Sequence, residues 1–152
     1  MPQAVNEVTI SAPLDRVYSL ARNVDLFPEF MPDVESVTVQ ERSEDGSRIV
    51  ADWVGIVKEF RIKVRWTEED VWNDSDHTCT FHQIKGDYQK YEGVWTFEAL
   101  GGSETRFHSL LDYELEIPLI GPLLKRIVAK LVRDNVQKIL DAIKAQAEQS
   151  PV

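Results

Sequence analysis

The chain has 152 residues, a formal net charge of −9, 43% hydrophobic and 28% charged residues, which suits one globular domain, residues 1–152, with a substantial buried core. An acidic balance argues against a general nucleic-acid binder, because phosphate neutralisation needs net positive surface. No basic start leads into an apolar run, the most apolar stretch (117–132) is broken by Lys125, Arg126 and Lys130, and Cys79 is alone, so secretory leader, bilayer span and internal disulfide are not expected and the expected compartment is cytoplasmic.

Residues 4–11 predict a first short strand. Ala12-Pro13-Leu14-Asp15 opens a helix, since proline suits a first turn, and Val17, Tyr18, Leu20 and Ala21 supply its apolar face. Asn23 is placed to cap a second short helix, expected to stop before Phe27-Pro28 because a residue preceding proline resists helical geometry. Strands in an antiparallel meander should follow, divided by turn signals at Asp45-Gly46, around Gly55, at Asn73-Asp74-Ser75-Asp76, at Lys85-Gly86-Asp87 and at Gly101-Gly102.

Residues 58–66, KEFRIKVRW, alternate without a break, with Phe60, Ile62, Val64 and Trp66 on one face and Glu59, Arg61, Lys63 and Arg65 on the other. Residues 89–99 repeat the pattern with Tyr91, Gly93, Trp95 and Phe97. From 105 onward Phe107, Leu111, Tyr113 and Leu115 oppose Arg106, Asp112, Glu114 and Glu116. After Pro118-Leu119-Ile120-Gly121-Pro122, apolar residues from Leu124 to Ile143 recur at three- and four-residue intervals, the mark of a long amphipathic helix. From about Gln146 the chain reads as a frayed tail. A helix with one wide apolar face needs a cover, and strands with one wet and one apolar face provide it. The expected architecture is therefore α+β: about seven strands in a curved antiparallel sheet wrapped around a long C-terminal helix, with two short helices after the first strand. Six basic residues on the helix, against Asp134 and Asp141, read as a solvated face complementing an acidic sheet, with a transient anionic-membrane contact as the sharper alternative.

No nucleophile, base and oxyanion arrangement stands out. His77, His82 and His108 are scattered, show no metal-ligand spacing with Cys79, and suggest no cofactor. Glu68, Glu69 and Asp70 read as solvated edge charges where a strand approaches the Asn73-Asp74 turn.

Three strings in order, ISAPLDRVYSLARNVDLFPEFMPDVESV (10–37), GDYQKYEGVWTFEAL (86–100) with its Gly93-x-Trp95-x-Phe97, and LDYELEIPLIGPLL followed by RDNVQKILDAIK, resemble the START-like, helix-grip superfamily. Within it the chain is similar to the polyketide cyclase/dehydrase and coenzyme Q-binding branch. The resemblance implies a hydrophobic cavity between sheet and closing helix. It carries Ile62, Val64, Trp66 and Phe60 to one wall, Phe81 and Gln83 to another, and continues through Tyr91, Trp95 and Tyr113. Leu124, Ile127, Val128 and Leu131 form the implied lid, with Phe27, Phe30 and Met31 at the mouth. Catalytic members typically carry an arginine shortly after a tryptophan on this strand, whereas here Trp66 is followed by Thr67-Glu68-Glu69-Asp70.

The resulting expectation is a monomer or weak dimer that binds a hydrophobic small molecule: a lipid, isoprenoid quinone or polyketide. Burying about ten methylenes would supply roughly 8 kcal/mol of transfer energy. A polyketide cyclase or dehydratase acting in the same cavity is the alternative. Some related bacterial proteins are ribosome-associated toxins, a third reading that the acidic charge disfavours.

Overall fold

The computed structural model describes residues 3–115 and 125–149. In chain order the elements are β1 (Gln3–Ile10), α1 (Leu14–Arg22), a 3-10 helix (Val24–Glu29), β2 (Val34–Arg42), β3 (Arg48–Val57), β4 (Ile62–Asn73), β5 (Thr78–Gly86), β6 (Lys90–Ala99), β7 (Thr105–Glu114) and α2 (Lys125–Glu148). The strands form one antiparallel sheet in the order β1-β7-β6-β5-β4-β3-β2. Consecutive strands β1 and β2 thus lie at opposite edges, and α1 with the 3-10 helix carries the chain between them. Alternation buries one face of the sheet, as along β7, where Thr105, Phe107, Ser109, Leu111 and Tyr113 are buried and their neighbours are not. This is the helix-grip arrangement that the periodicities predict. Among the described residues no helix is long and apolar enough to cross a membrane.

Several boundaries differ from the sequence reading. The run KEFRIKVRW is not one strand: Lys58–Phe60 is a 3-10 turn and Arg61 takes a left-handed φ of 53°, so the hairpin closes with Val57 opposite Ile62. The expected turn near Gly55 does not occur there. Gly55 lies within β3, where a Cβ would come 3.3 Å from the Trp66 ring, so its bareness makes room for an indole. The 3-10 helix runs through Pro28 instead of stopping before it, because the missing N–H costs only one bond in a short turn; Phe27 O still accepts from Phe30 N and Met31 N. Asn23 occupies the cap position, but its side chain makes no capping hydrogen bond. The frayed tail begins later than expected, since Ala147 is buried and Glu148 accepts from the Ser11 N–H at 2.7 Å.

Gly93 in β6 is required by packing: a Cβ there would stand 2.3 Å from the Leu110 carbonyl oxygen and 2.7 Å from the Phe81 ring. In β5, Ile84 is skipped between the pairs Thr67–Lys85 and Glu68–Gln83, a bulge, and its side chain is exposed on the outer phase it shares with Thr80 and His82.

The interior divides along α2. Toward its C-terminal end, Leu140 and Ile143 are fully buried in a close-packed cluster with Ile10, Val17, Phe97 and Phe107. Toward its N-terminal end, Val128 and Val132 face Phe81, Leu111 and Tyr113. Asn6 ties β1 to the helix, donating to Arg133 O and Gln137 Oε1, each at 3.0 Å. One half of the helix is gripped solidly, and the other half roofs a cavity.

Candidate functional site

The cavity has a volume of about 100 Å³ and lies between the inner faces of β3–β7 and α2. Strand β4 contributes most of its chemistry. The alternation that turns Val64 and Trp66 inward continues through Glu68, Asp70 and Trp72, all of which line the cavity, while Glu69 turns outward to Arg48 Nε at 2.6 Å. Glu68 is 5% exposed and Asp70 3%. Reading this trio as solvated edge charges is therefore wrong for Glu68 and Asp70. β4 is no edge, being paired on both sides by β3 and β5, and strict alternation buries every second residue whatever its polarity.

The Trp66 indole Nε1 donates to Glu68 Oε1 at 2.8 Å, and the two carboxyls share a hydrogen bond. Burial raises both above the ordinary carboxylate range. Hydrogen bonds from Asp70 and Trp66 partly offset this for Glu68, whereas the charge of Glu68 and the shared hydrogen bond push Asp70 well higher. Two like charges this close in a low-dielectric interior cannot both stand, so the pair shares a proton. Among the described residues Asp70 Oδ1 accepts from no N–H donor, and the indole Nε1 of Trp53 and Trp72, two more cavity residues, finds no acceptor. Cys79 also lines the cavity. Its thiol is pushed far up, by burial first and then by Asp70 and Glu68, so it is a neutral, unreactive wall group.

Aromatic rings make most of the remaining wall. Trp53 stacks on Trp66 with centroids 5.7 Å apart, Trp66 meets Tyr91 at 5.4 Å, and Tyr88 meets Tyr91 at 4.7 Å. Both tyrosine hydroxyls are pushed upward, chiefly by burial, and remain neutral. Where the lining reaches solvent it includes Pro32 and Lys138. There Asp33, 8% exposed, sits 3.0 Å from Lys138 Nζ and 3.4 Å from Lys58 Nζ, and its carbonyl accepts from Ile56 N at 2.8 Å. One carboxylate thus fastens the loop after the 3-10 helix, the β3–β4 turn and α2 together at the mouth.

Of the residues expected around a cavity, Met31, Val64, Trp66, Phe81, Tyr91 and Trp95 line it, joined by Val128 and Leu131 from α2. Phe27 is fully buried behind the wall, against Trp53 at 5.8 Å and Phe30 at 5.9 Å, so these two phenylalanines support the mouth without lining it. Tyr113 packs in the cluster beneath α2, Ile62 is half-buried at the start of β4, and Ile127 is 46% exposed. Gln83 closes the β5–β6 connection, donating to Tyr88 O at 2.8 Å and accepting from Tyr88 N at 3.2 Å. Leu124 and the side chain of Phe60 lie outside the described residues. Sequence reasoning missed Trp53, Trp72, Tyr88, Asp33 and the carboxyl pair. The signal for the pair was there, since the inward phase through Trp66 passes Glu68 and Asp70 before reaching Trp72. Among the described residues no three His, Cys, Asp or Glu side chains gather to hold a metal.

Residues 10–140 match a family model described as polyketide cyclase/dehydrase and lipid transport. The ribosome association toxin RatA of Escherichia coli K12 is 24% identical over 139 residues, covering 90% of this chain and 84% of that protein. A crystal structure of a Thermus thermophilus protein is 36% identical with a TM-score of 0.88, covering 96% of this chain and 97% of the other. The ZhuI aromatase/cyclase from Streptomyces sp. R1128 superimposes with a TM-score of 0.83 at 18% identity, covering 96% and 93%, a likeness of fold.

Proposed function

The chain belongs to the polyketide cyclase/dehydrase and lipid transport family, and from that premise we propose that it binds a hydrophobic small molecule in the cavity between the sheet and α2. The carrying observation is the cavity itself, an aromatic-walled space kept open beside a close-packed half of the same interior. Left empty, about 100 Å³ costs roughly 2 kcal/mol at about 24 cal/mol per Å³, an expense that a ligand removes. The space suits a compact apolar body such as a ring with a short chain. A ten-methylene tail therefore requires the mouth to widen where Asp33 holds it. A monomer or weak dimer with an apolar ligand is the expected working form.

Native mass spectrometry of the protein purified from its source tests the reading, together with uptake of a fluorescent apolar probe. Co-bound apolar mass or saturable one-to-one uptake is expected. A protein that carries nothing and takes up nothing would overturn it.

A second reading, a polyketide cyclase or dehydratase in the same cavity, gains support from one feature. A carboxyl pair holding a proton inside an apolar chamber is a competent acid–base group. Turnover of a polyketide-like chain would separate this reading from simple binding.

A further inference from the structure

The apolar walls account for affinity toward a hydrophobic body, but they leave the Glu68–Asp70 pair unexplained. Burying two carboxyls is costly, and nearby hydrophobic side chains would fill the same space at lower cost. Among the described residues neither carboxyl forms an ion pair with a lysine or arginine. The basic side chain that acts on Glu68 is His82, half exposed on the outer face of β5, and its Nε2 lies 3.9 Å from Glu69. Lys138 reaches the cavity lining, but it is held at the mouth by Asp33.

We propose that Glu68 and Asp70 form a headgroup subsite, and that the ligand is an apolar, ring-sized molecule carrying a basic amine, bound with its ammonium against the carboxyl pair. This rests on the binding reading above and adds the chemistry of the buried end. Three observations outside the pair's own acidity point to an occupant. Among the described residues Asp70 Oδ1 accepts from no N–H donor, on a residue 3% exposed that lines the cavity. Trp53 and Trp72, 5% and 3% exposed and lining the same cavity, each keep an indole N–H without an acceptor among the described residues. Leaving such groups unsatisfied costs their full desolvation, so three together favour a polar guest over an empty or wholly hydrocarbon-filled chamber. An ammonium donates to Asp70 Oδ1 and Glu68 and favours their charged form, while an ether or carbonyl oxygen on the same guest would satisfy an indole. The Trp66 indole holds Glu68 oriented for this role. An acid is excluded on the same grounds, because a third carboxyl would add like charge with no cation to receive it. The aromatic wall also suits a cation, since indole and phenol faces attract ammonium groups.

The test titrates the full chain with 4-phenylbutylamine, 4-phenylbutanol and 4-phenylbutanoate, following tryptophan fluorescence and stoichiometry, in the wild type and in Glu68→Gln and Asp70→Asn. Both substitutions keep size and remove a buried ionisable group, and thermal melting verifies that they fold. The amine should bind one-to-one, about tenfold or more tighter than the acid and tighter than the alcohol, a gap of at least ~1.4 kcal/mol. Glu68→Gln should shrink the amine–acid gap to about threefold or less, and Asp70→Asn should shrink it in the same direction. Equal binding of all three compounds, acid binding as tight as amine, or an amine preference unmoved by Glu68→Gln would overturn the headgroup assignment. The last of these is what amine adsorption on the acidic surface would give. Saturable binding of the alcohol in any of these cases leaves the hydrophobic-binding reading standing. No saturable binding of any compound overturns both.

Discussion

At the scale of single residues, the decisive positions are two carboxylates whose meaning depends on strand phase. Glu68 and Asp70 share a strand with Glu69, yet only Glu69 meets solvent and Arg48, because successive side chains leave opposite faces. Their burial has a consequence for stability. Both sit above their unfolded values, so the folded state holds the extra proton. Their favourable contribution is complete below the ordinary carboxylate values near pH 4 and is lost as pH rises through the folded values. Glu68→Gln should therefore be more stable than the wild type at pH 8, by about 1 kcal/mol or more, the scale of a one-unit pKa displacement. The advantage should shrink toward pH 4. Thermal melts of both proteins across that range measure the difference, which cancels the exposed carboxylates they share. Parallel melting profiles would refute this account of the pair. The neutral Cys79 beside it fits the same local field.

At the scale of elements, the mouth of the cavity is fastened by charge and its far end by packing. Asp33 joins three segments through Lys138 and Lys58, and the Lys138 ammonium is raised first by its close contact with the Asp33 carboxylate. Both lysines are half exposed, so Asp33→Asn should cost global stability only ~1 kcal/mol or less. The effect belongs to local opening. Hydrogen–deuterium exchange should quicken about fivefold in peptides covering 24–34 and 55–60, the factor that ~1 kcal/mol of opening energy produces. Unchanged exchange there would mean that Ile56 N and the buried Phe27 hold the mouth by themselves. The same bonds qualify the basic character of α2. Lys130 pairs with Asp134, Lys138 with Asp33, and Lys144 with Glu148 and the Thr9 carbonyl, so three of its cations are already committed within the fold. A membrane contact through this helix would have to rely on its remaining cations.

At the scale of the whole molecule, net charge and the cavity point the same way. A chain at −9, with Lys130, Lys138 and Lys144 of its long helix paired internally, offers little to a polyanionic surface. It should stay in the supernatant when centrifuged with ribosomes at low salt, despite its similarity to a ribosome association toxin. Co-sedimentation would shift the emphasis from the cavity to the outer surface. The asymmetry along α2 places the function in one half of the interior: Leu140 and Ile143 close the core completely, while Val128, Leu131 and Val132 leave space above the sheet.

The sequence by itself determined the architecture, because periods of two and of three to four are local consequences of strand and helix geometry, and seven strands with one long helix have few ways to bury their apolar faces. It also placed Val64, Trp66, Phe81, Tyr91 and Trp95 on inward phases. It misplaced the hairpin turn, since the left-handed Arg61, rather than Gly55, closes it, and a glycine can serve a packing need as well as a turn. Only the tertiary structure decided that β4 is an interior strand. An edge strand would have let Glu68 and Asp70 reach water, whereas flanking strands and the roof of α2 enclose them. Burial is a property of neighbours brought from far along the chain, and it is what turns two ordinary acids into a proton-holding pair inside an apolar chamber.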